Sequence, residues 1–219
     1  MVLSKVVFLH HCYSAYIFMA AVIYDAFHNC EKGINFNVRY DGGIFNLRRF
    51  KAKTKVHHIL VRALLYADDC ALVAHIEEDV QVLIDCLSNA TKRYGLSISI
   101  KKTEVLLQPK PGSCYKEPAV TIGSDNLRAV TKFCYLGGVL SNDCSIDLEI
   151  AARLAKASST FGRLASRLWD THDISLVTKV SVYQAAFLSV LLYGVETWTL
   201  YRRHIRQLDT FPYALPTEN

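Results

Sequence analysis

Residues 59–74 read ILVRALLYADDCALVA, and the fold turns on where this run breaks. Two apolar stretches, 59–66 and 70–74, flank Ala67, Asp68 and Asp69. Apolar runs of this length around a short acidic turn predict a β-hairpin with adjacent carboxylates at its tip. Directly after it, Glu77, Glu78 and Asp79 place acids in the first turn of a helix, where the helix dipole favours negative charge. Val80, Leu83, Ile84, Leu87 and Tyr94 keep helical spacing, and Gly95 follows as a C-cap. Residues 96–100 and 103–108 are expected to add another strand pair. The region 46–108 therefore reads β-β-α-β-β. That is an α+β fold in which helices pack on an antiparallel sheet.

The rest of the chain is consistent with a globular protein. Of 219 residues, 51% are apolar and 21% charged, with a formal charge of +5 and a pI near 8.8. This composition excludes a disordered tail or a fibrous repeat, and it permits a polyanionic partner without demanding one. The seven cysteines show no CxxC or CxH spacing, which argues against a zinc ribbon. They are expected to be reduced and mostly buried. Residues 6–24 carry no Asp, Glu, Lys or Arg; they predict a buried helix in preference to a membrane span or signal peptide.

Two basic features stand out. Arg49, Lys51, Lys53 and Lys55 alternate with Phe50, Ala52, Thr54 and Val56 and would line one strand face. Such a strip is either a Lys-protected sheet edge or a surface for phosphates. Further on, residues 109–118 read as a loop and 132–140 as a tight, Gly-interrupted hairpin. From Ser145 the period becomes helical. Ile150, Leu154, Ala157, Phe161, Leu164, Ala165 and Leu168 form an apolar stripe, and Arg153, Lys156, Thr160, Arg163 and Arg167 form a second one. A second apolar helix is expected over 176–192, broken at Tyr193 and Gly194. The polar end of the chain is not expected to pack.

Adjacent aspartates repel each other and resist burial. They stand either at a solvated turn or beside a divalent cation that neutralises them. Mg²⁺ takes one or two carboxylates together with substrate phosphates, as nucleotidyl transfer requires. Tyr66, just before the pair, could reach a nucleotide, and Ala67 is small enough to let one approach.

The sequence Tyr66-Ala67-Asp68-Asp69 resembles the YxDD box of reverse transcriptases. Its companions are similar to the non-LTR (LINE-type) retrotransposon branch: "GLSISIKKTE", "KFCYLGGVLS", "RLAKASSTFGRL" and "VSVYQAAFLSVLLYGVETWTLYRRHIRQLDTF" follow in order. The resemblance covers about residues 20–211 and is specific because the motifs are ordered. It implies an antiparallel palm-like sheet with packed helices over 20–145 and a thumb-like helical region over 146–211. Residues 1–19 and 212–219 stay unmatched. By the same resemblance, Asp68 and Asp69 are the catalytic and Mg²⁺-binding pair, and Lys102 is the lysine that protonates the leaving pyrophosphate. Tyr66, Ala67, Tyr135, Leu136 and Gly137 contact nucleotide or primer. Arg49, Lys51, Lys53, Lys55, Arg153, Lys156, Arg163 and Arg167 face the nucleic-acid backbone. The implied partners are an RNA template and a DNA primer, and the implied location is nuclear or cytoplasmic.

The family also uses an upstream strand of the form F-x-x-D and a Q-G-x-x-x-S-P segment, and these 219 residues carry neither. The chain enters the pattern at "YIFMAAVIYDAF", where Asp25 is the only nearby acid. The resulting expectation is a truncated reverse-transcriptase-like protein, inactive by itself. Its sheet would be short of a strand and prone to self-association. The alternatives are a nucleic-acid-binding module without catalysis and, less favoured, a small membrane-anchored protein; no stable membrane association is expected.

Overall fold

The computed structural model describes residues 1–7, 15–38, 56–67, 69–110 and 112–209. The chain divides into two compact units, Met1–Phe133 and Cys134–Asn219.

The first unit is built on a five-stranded sheet in the spatial order Ala63–Tyr66, Asp69–Ala74, Val2–Val7, Glu104–Leu107 and Arg128–Ala129. Its strands are β1 (Val2–Val7), β4 (Ala63–Tyr66), β5 (Asp69–Ala74), β6 (Glu104–Leu107) and β9 (Arg128–Ala129). Strand β1 is central and runs antiparallel to both β5 and β6. The expectation of a sheet lacking an inner strand is thereby corrected, because residues 2–7 occupy that place. The α+β class holds. The sheet is mixed, not antiparallel throughout, since β6 and β9 run parallel.

Two helices, α1 (Ala15–Phe27) and α2 (Glu77–Arg93), pack against each other and against one face of the sheet. Strand alternation decides which residues meet them. Val2 and Val6 of β1, Cys70, Leu72 and Ala74 of β5, and Val105 of β6 join Met19, Val22, Leu83, Ile84 and Leu87 in one buried core. Helix α2 is amphipathic as expected, with Val80, Leu83, Ile84 and Leu87 buried, and Gly95 follows at φ +69°. The cross-links Arg93–Asp25 (2.7 Å) and Lys32–Asp79 (2.8 Å) tie the helices and their flanks together at the surface.

Several expectations need correction. Residues 6–24 are not one buried helix: Val6 and Val7 end β1, and α1 begins at Ala15 with Ile17 83% and Tyr24 76% exposed. Among the described residues no helix is long and apolar enough to cross a membrane. The run 59–66 is two strands. Strand β3 (His57–Val61) pairs with β2 (Ile34–Val38) in a separate ribbon, whereas β4 pairs with β5. The break falls at Arg62, whose carbonyl accepts the Val73 amide at 2.9 Å. Residues 96–100 form no strand; a 3₁₀ turn at Ile100–Lys102 leads into β6. The thiols are not mostly buried, because Cys114, Cys134 and Cys144 are exposed while Cys30 and Cys70 are buried. Burial pushes the Cys70 thiol up to about 12. Two short strands, β7 (Thr121–Ile122) and β8 (Asp125–Asn126), pair antiparallel ahead of β9.

The second unit is mainly helical. Strands β10 (Lys132–Tyr135) and β11 (Gly138–Ser141) form the expected hairpin, with β10 crossing the unit boundary. Helix α3 (Asp147–Leu164) continues into a π-helical turn, Ala165–Trp169. Helix α4 (Leu176–Val182) runs through a second π-helical stretch, Tyr183–Leu188, to a last turn at Ser189–Leu191. Ala157, Phe187 and Leu191 form the core here. Phe161 stacks on Trp169 (centroids 4.8 Å apart), and the Trp169 indole donates to the Phe161 carbonyl at 3.0 Å.

Of the last fifteen or so residues, expected not to pack, 210–219 lie outside the described residues, while Leu208 packs against the second core. Helix α5 (Arg202–Asp209) carries His204, which is buried, and both His204 and Arg203 reach Asp147 at the start of α3, at 2.7 and 2.8 Å. The Ser145 hydroxyl also donates to Asp147 at 2.6 Å. That hydrogen bond first, and His204 second, hold the Asp147 carboxyl below its ordinary value of 3.8. A carboxyl depressed in the folded state contributes stability at pH values above its ordinary pKa and loses it as pH falls through the folded one. Asp147→Asn is therefore expected to have a lower urea midpoint than the parent at neutral pH. The difference should close below pH 3.8. A gap independent of pH would refute a role for the ionised carboxylate.

Candidate functional site

The β4–β5 hairpin forms because Tyr66 and Asp69 face each other in register, leaving a two-residue turn. Two-residue hairpin turns of the favoured hand need positive φ at their first central residue. Ala67 meets this with φ +52°. For a residue with a Cβ that conformation costs roughly 1–2 kcal/mol, and glycine or asparagine is the usual occupant. The turn lifts Tyr66 outward, 60% exposed. Asp68 lies outside the described residues, and so do Arg49, Lys51, Lys53 and Lys55.

Asp69 opens β5, opposite Val7 of β1. By strand alternation Lys5, Asp69 and Glu104 project from the sheet face opposite the helices. The Lys5 ammonium is 3.6 Å from the Asp69 carboxylate, both partly exposed. Glu104, on the other side of β1, pairs with Arg128 of β9. Lys102 stands exposed in the 3₁₀ turn before β6, so β1 separates its strand from that of Asp69.

A catalytic pair of Mg²⁺ ions needs carboxylates from more than one wall, to clamp both the attacking and the leaving oxygen. Strand β1 presents an ammonium to Asp69. Among the described residues no group of three or more His, Cys, Asp or Glu side chains could hold a metal ion. Asp25, the acid in the segment where the family pattern is entered, is on α1 and engaged by Arg93 at 2.7 Å.

In the second unit, the β10–β11 turn is Leu136-Gly137, with φ +49° and +82°, the pair of values a type I′ turn demands. Its two carbonyls are both bound by side chains. Tyr193 donates its hydroxyl to the Leu136 carbonyl at 2.8 Å, and Arg153 donates Nη2 to the Gly137 carbonyl at 2.7 Å. Lys156 reaches the same carbonyl at 3.4 Å. Arg153 also donates Nε to Glu149 at 2.6 Å, and the other Glu149 oxygen accepts the Val139 amide at 2.6 Å. The Arg153 guanidinium lies over the Tyr193 ring, 4.5 Å from its centroid. Beside this network a cleft of about 620 Å³ is lined in part by Tyr135, Val139, Ile146, Tyr193 and Trp198.

The basic stripe of α3 therefore splits. Arg153 is a buried strut between helix and hairpin. Lys156 is exposed but leans on the turn, while Arg163 and Arg167 are exposed, Arg163 bonding only locally to Ser159 at 3.3 Å. Sequence reasoning missed Glu149 and Tyr193. The Glu149–Arg153 spacing of four was visible as a helical ion pair. Tyr193 had no local signal, standing 57 residues from Leu136.

Compared with known proteins, the chain matches no family model and no curated protein.

Proposed function

We propose that this chain is a reverse-transcriptase-like fragment that binds a template–primer duplex through phosphate contacts and does not extend a primer by itself. The observation that carries the reading is the strand succession. Apart from the separate β2–β3 ribbon between α1 and β4, strand β1, helix α1, the β4–β5 hairpin, helix α2 and β6 follow in a β-α-β-β-α-β order, with β1 inserted between β5 and β6. This split arrangement supports the reading, because the β4–β5 hairpin carries Tyr66, Ala67 and Asp69 as the hairpin of a palm domain would. A fold of this kind hosts many functions, so the weight falls on the turn and its ordered companions.

The binding-module reading is favoured over catalysis by the Lys5–Asp69 pair, which leaves the turn with an internal cation. Phosphate contacts would come from Lys156, Arg163 and Arg167, the exposed members of the stripe.

The test combines two assays on the purified chain. Given primer–template, dNTPs and Mg²⁺, it should show no extension above background. Filter binding over a salt series should give a log–log slope of about −0.9 for each phosphate neutralised. Arg163→Gln with Arg167→Gln should flatten that slope by about two units and leave sequence preference unchanged, since phosphates carry no base information. Salt-insensitive binding would overturn the proposal. So would extension that disappears in Asp68→Ala.

A further inference from the structure

Arg62 sits at the break between β3 and β4 and carries a donor without an acceptor. Its Nε–H is buried and has no hydrogen-bond partner, and no acid pairs with its guanidinium among the described residues. The side chain is held in place by a close fit. Gly33, at φ +144°, approaches so nearly that a Cβ there would stand 2.9 Å from the Arg62 Cγ and 2.6 Å from the Val61 carbonyl. A buried donor left unpaired bears its whole desolvation penalty, so an arginine fixed in this way calls for a ligand.

The space beside it suits one. Arg62 lines a cavity of about 500 Å³ between the end of α1 and strands β3 and β4. This is within the range of small-molecule sites, about 300–1,000 Å³. Its described walls are mostly apolar, including Ile23, Phe27, Leu60 and Leu64, and none of the described lining residues is acidic. The Tyr24 ring forms one edge. It is largely exposed and stacks on His28, with centroids 6.2 Å apart and planes at 23°.

We infer that this cavity binds a small anion with a flat apolar body, an aryl carboxylate or aryl phosphate. The charged group would be held by the Arg62 fork and the ring would lie against Tyr24 and Leu64. A guanidinium pairs with either anion through parallel N–H donors. A polynucleotide backbone is a poorer fit, since it tracks rows of cations and the described lining of this cavity offers one arginine.

The test uses 2-naphthoate, 2-naphthyl phosphate and the uncharged 2-naphthylmethanol as probes, titrated into the parent chain by calorimetry and two-dimensional NMR. At least one anion is expected to bind with shift changes at Tyr24 and Leu64, and the tighter of the two identifies the anion class. Arg62→Met keeps the stem and removes the donors. It should weaken that anion by about tenfold or more, while the alcohol binds parent and variant alike. Its urea midpoint should stay at or above the parent's, because an unpaired buried donor is gone. Tyr24→Ala, at an exposed position, should weaken the anion without moving the midpoint. Anion binding that is equal in the parent and either variant would overturn the inference, as would the absence of binding by both anions at millimolar concentration.

Discussion

Val6→Asp is expected to abolish cooperative unfolding of the first unit. Val6 is fully buried in β1, opposite Cys70 of β5, and belongs to the core shared by the sheet and both helices. A carboxylate at that point would have no described cation on its own side of the sheet, because Lys5 projects from the other face. An unpaired buried charge costs several kcal/mol after relaxation, against a total stability of about 5–15 kcal/mol for a domain. Strand β1 would be expelled, and β5 and β6 would each expose a hydrogen-bonding edge. Far-UV circular dichroism across a urea series should show a broad, sloping loss of structure, and the variant should aggregate. Ile17→Asp, on the exposed face of α1, serves as the control and should unfold like the parent. A Val6→Asp chain with a parent-like transition would mean that residues 2–7 are not the inner strand.

The second large effect is expected at Arg153. Its side chain and that of Glu149 are both almost wholly buried, with Nε to carboxylate oxygen at 2.6 Å. Removing one partner of such a pair strands the other charge, at a cost of about 3–5 kcal/mol. Arg153→Ala also removes the donor that satisfies the Gly137 carbonyl and the cation over Tyr193. Its unfolding midpoint should drop sharply, and Glu149→Ala should behave similarly. The double variant Glu149→Leu with Arg153→Met should recover much of the loss, because buried pairs exchanged for apolar groups of similar volume are often neutral or better. Recovery of this kind is strong coupling between neighbours. Additive losses would mean that the two residues act independently, contrary to the geometry. Exposed Arg163 makes the contrast: its replacement should scarcely alter stability and should act on nucleic-acid affinity.

Sequence reading succeeds where the signal is local. The helical stripe of α2, with Gly95 past its end, could be read directly, because a 3.6-residue period and a left-handed cap are local properties. The same holds for the β4–β5 and β10–β11 hairpins, where short turns separate apolar runs. Periodicity puts Arg153 on the helix it occupies, but its partners, Glu149 and the Gly137 carbonyl, are fixed by packing. A stripe of cations looks the same from sequence whether it faces solvent or a turn's carbonyls, and the acceptors here belong to another element.

What the 219 residues determined by themselves was helix α2 with its cap, the β4–β5 and β10–β11 hairpins and the α+β class. Periodicity, turn chemistry and charge act over a few residues, so they can be read in order along the chain. Tertiary structure alone decided which strand fills the middle of the sheet. It selected residues 2–7, whose apolar residues, interrupted by Ser4 and Lys5, gave no sign of a central place. It divided residues 59–66 at Arg62 because β2 claims one half and β5 the other. It set Lys5 beside Asp69 and docked His204 on Asp147, pairings that join residues 57 or more positions apart. Such contacts follow from which apolar faces cover one another once the chain collapses, a choice made by the whole core together.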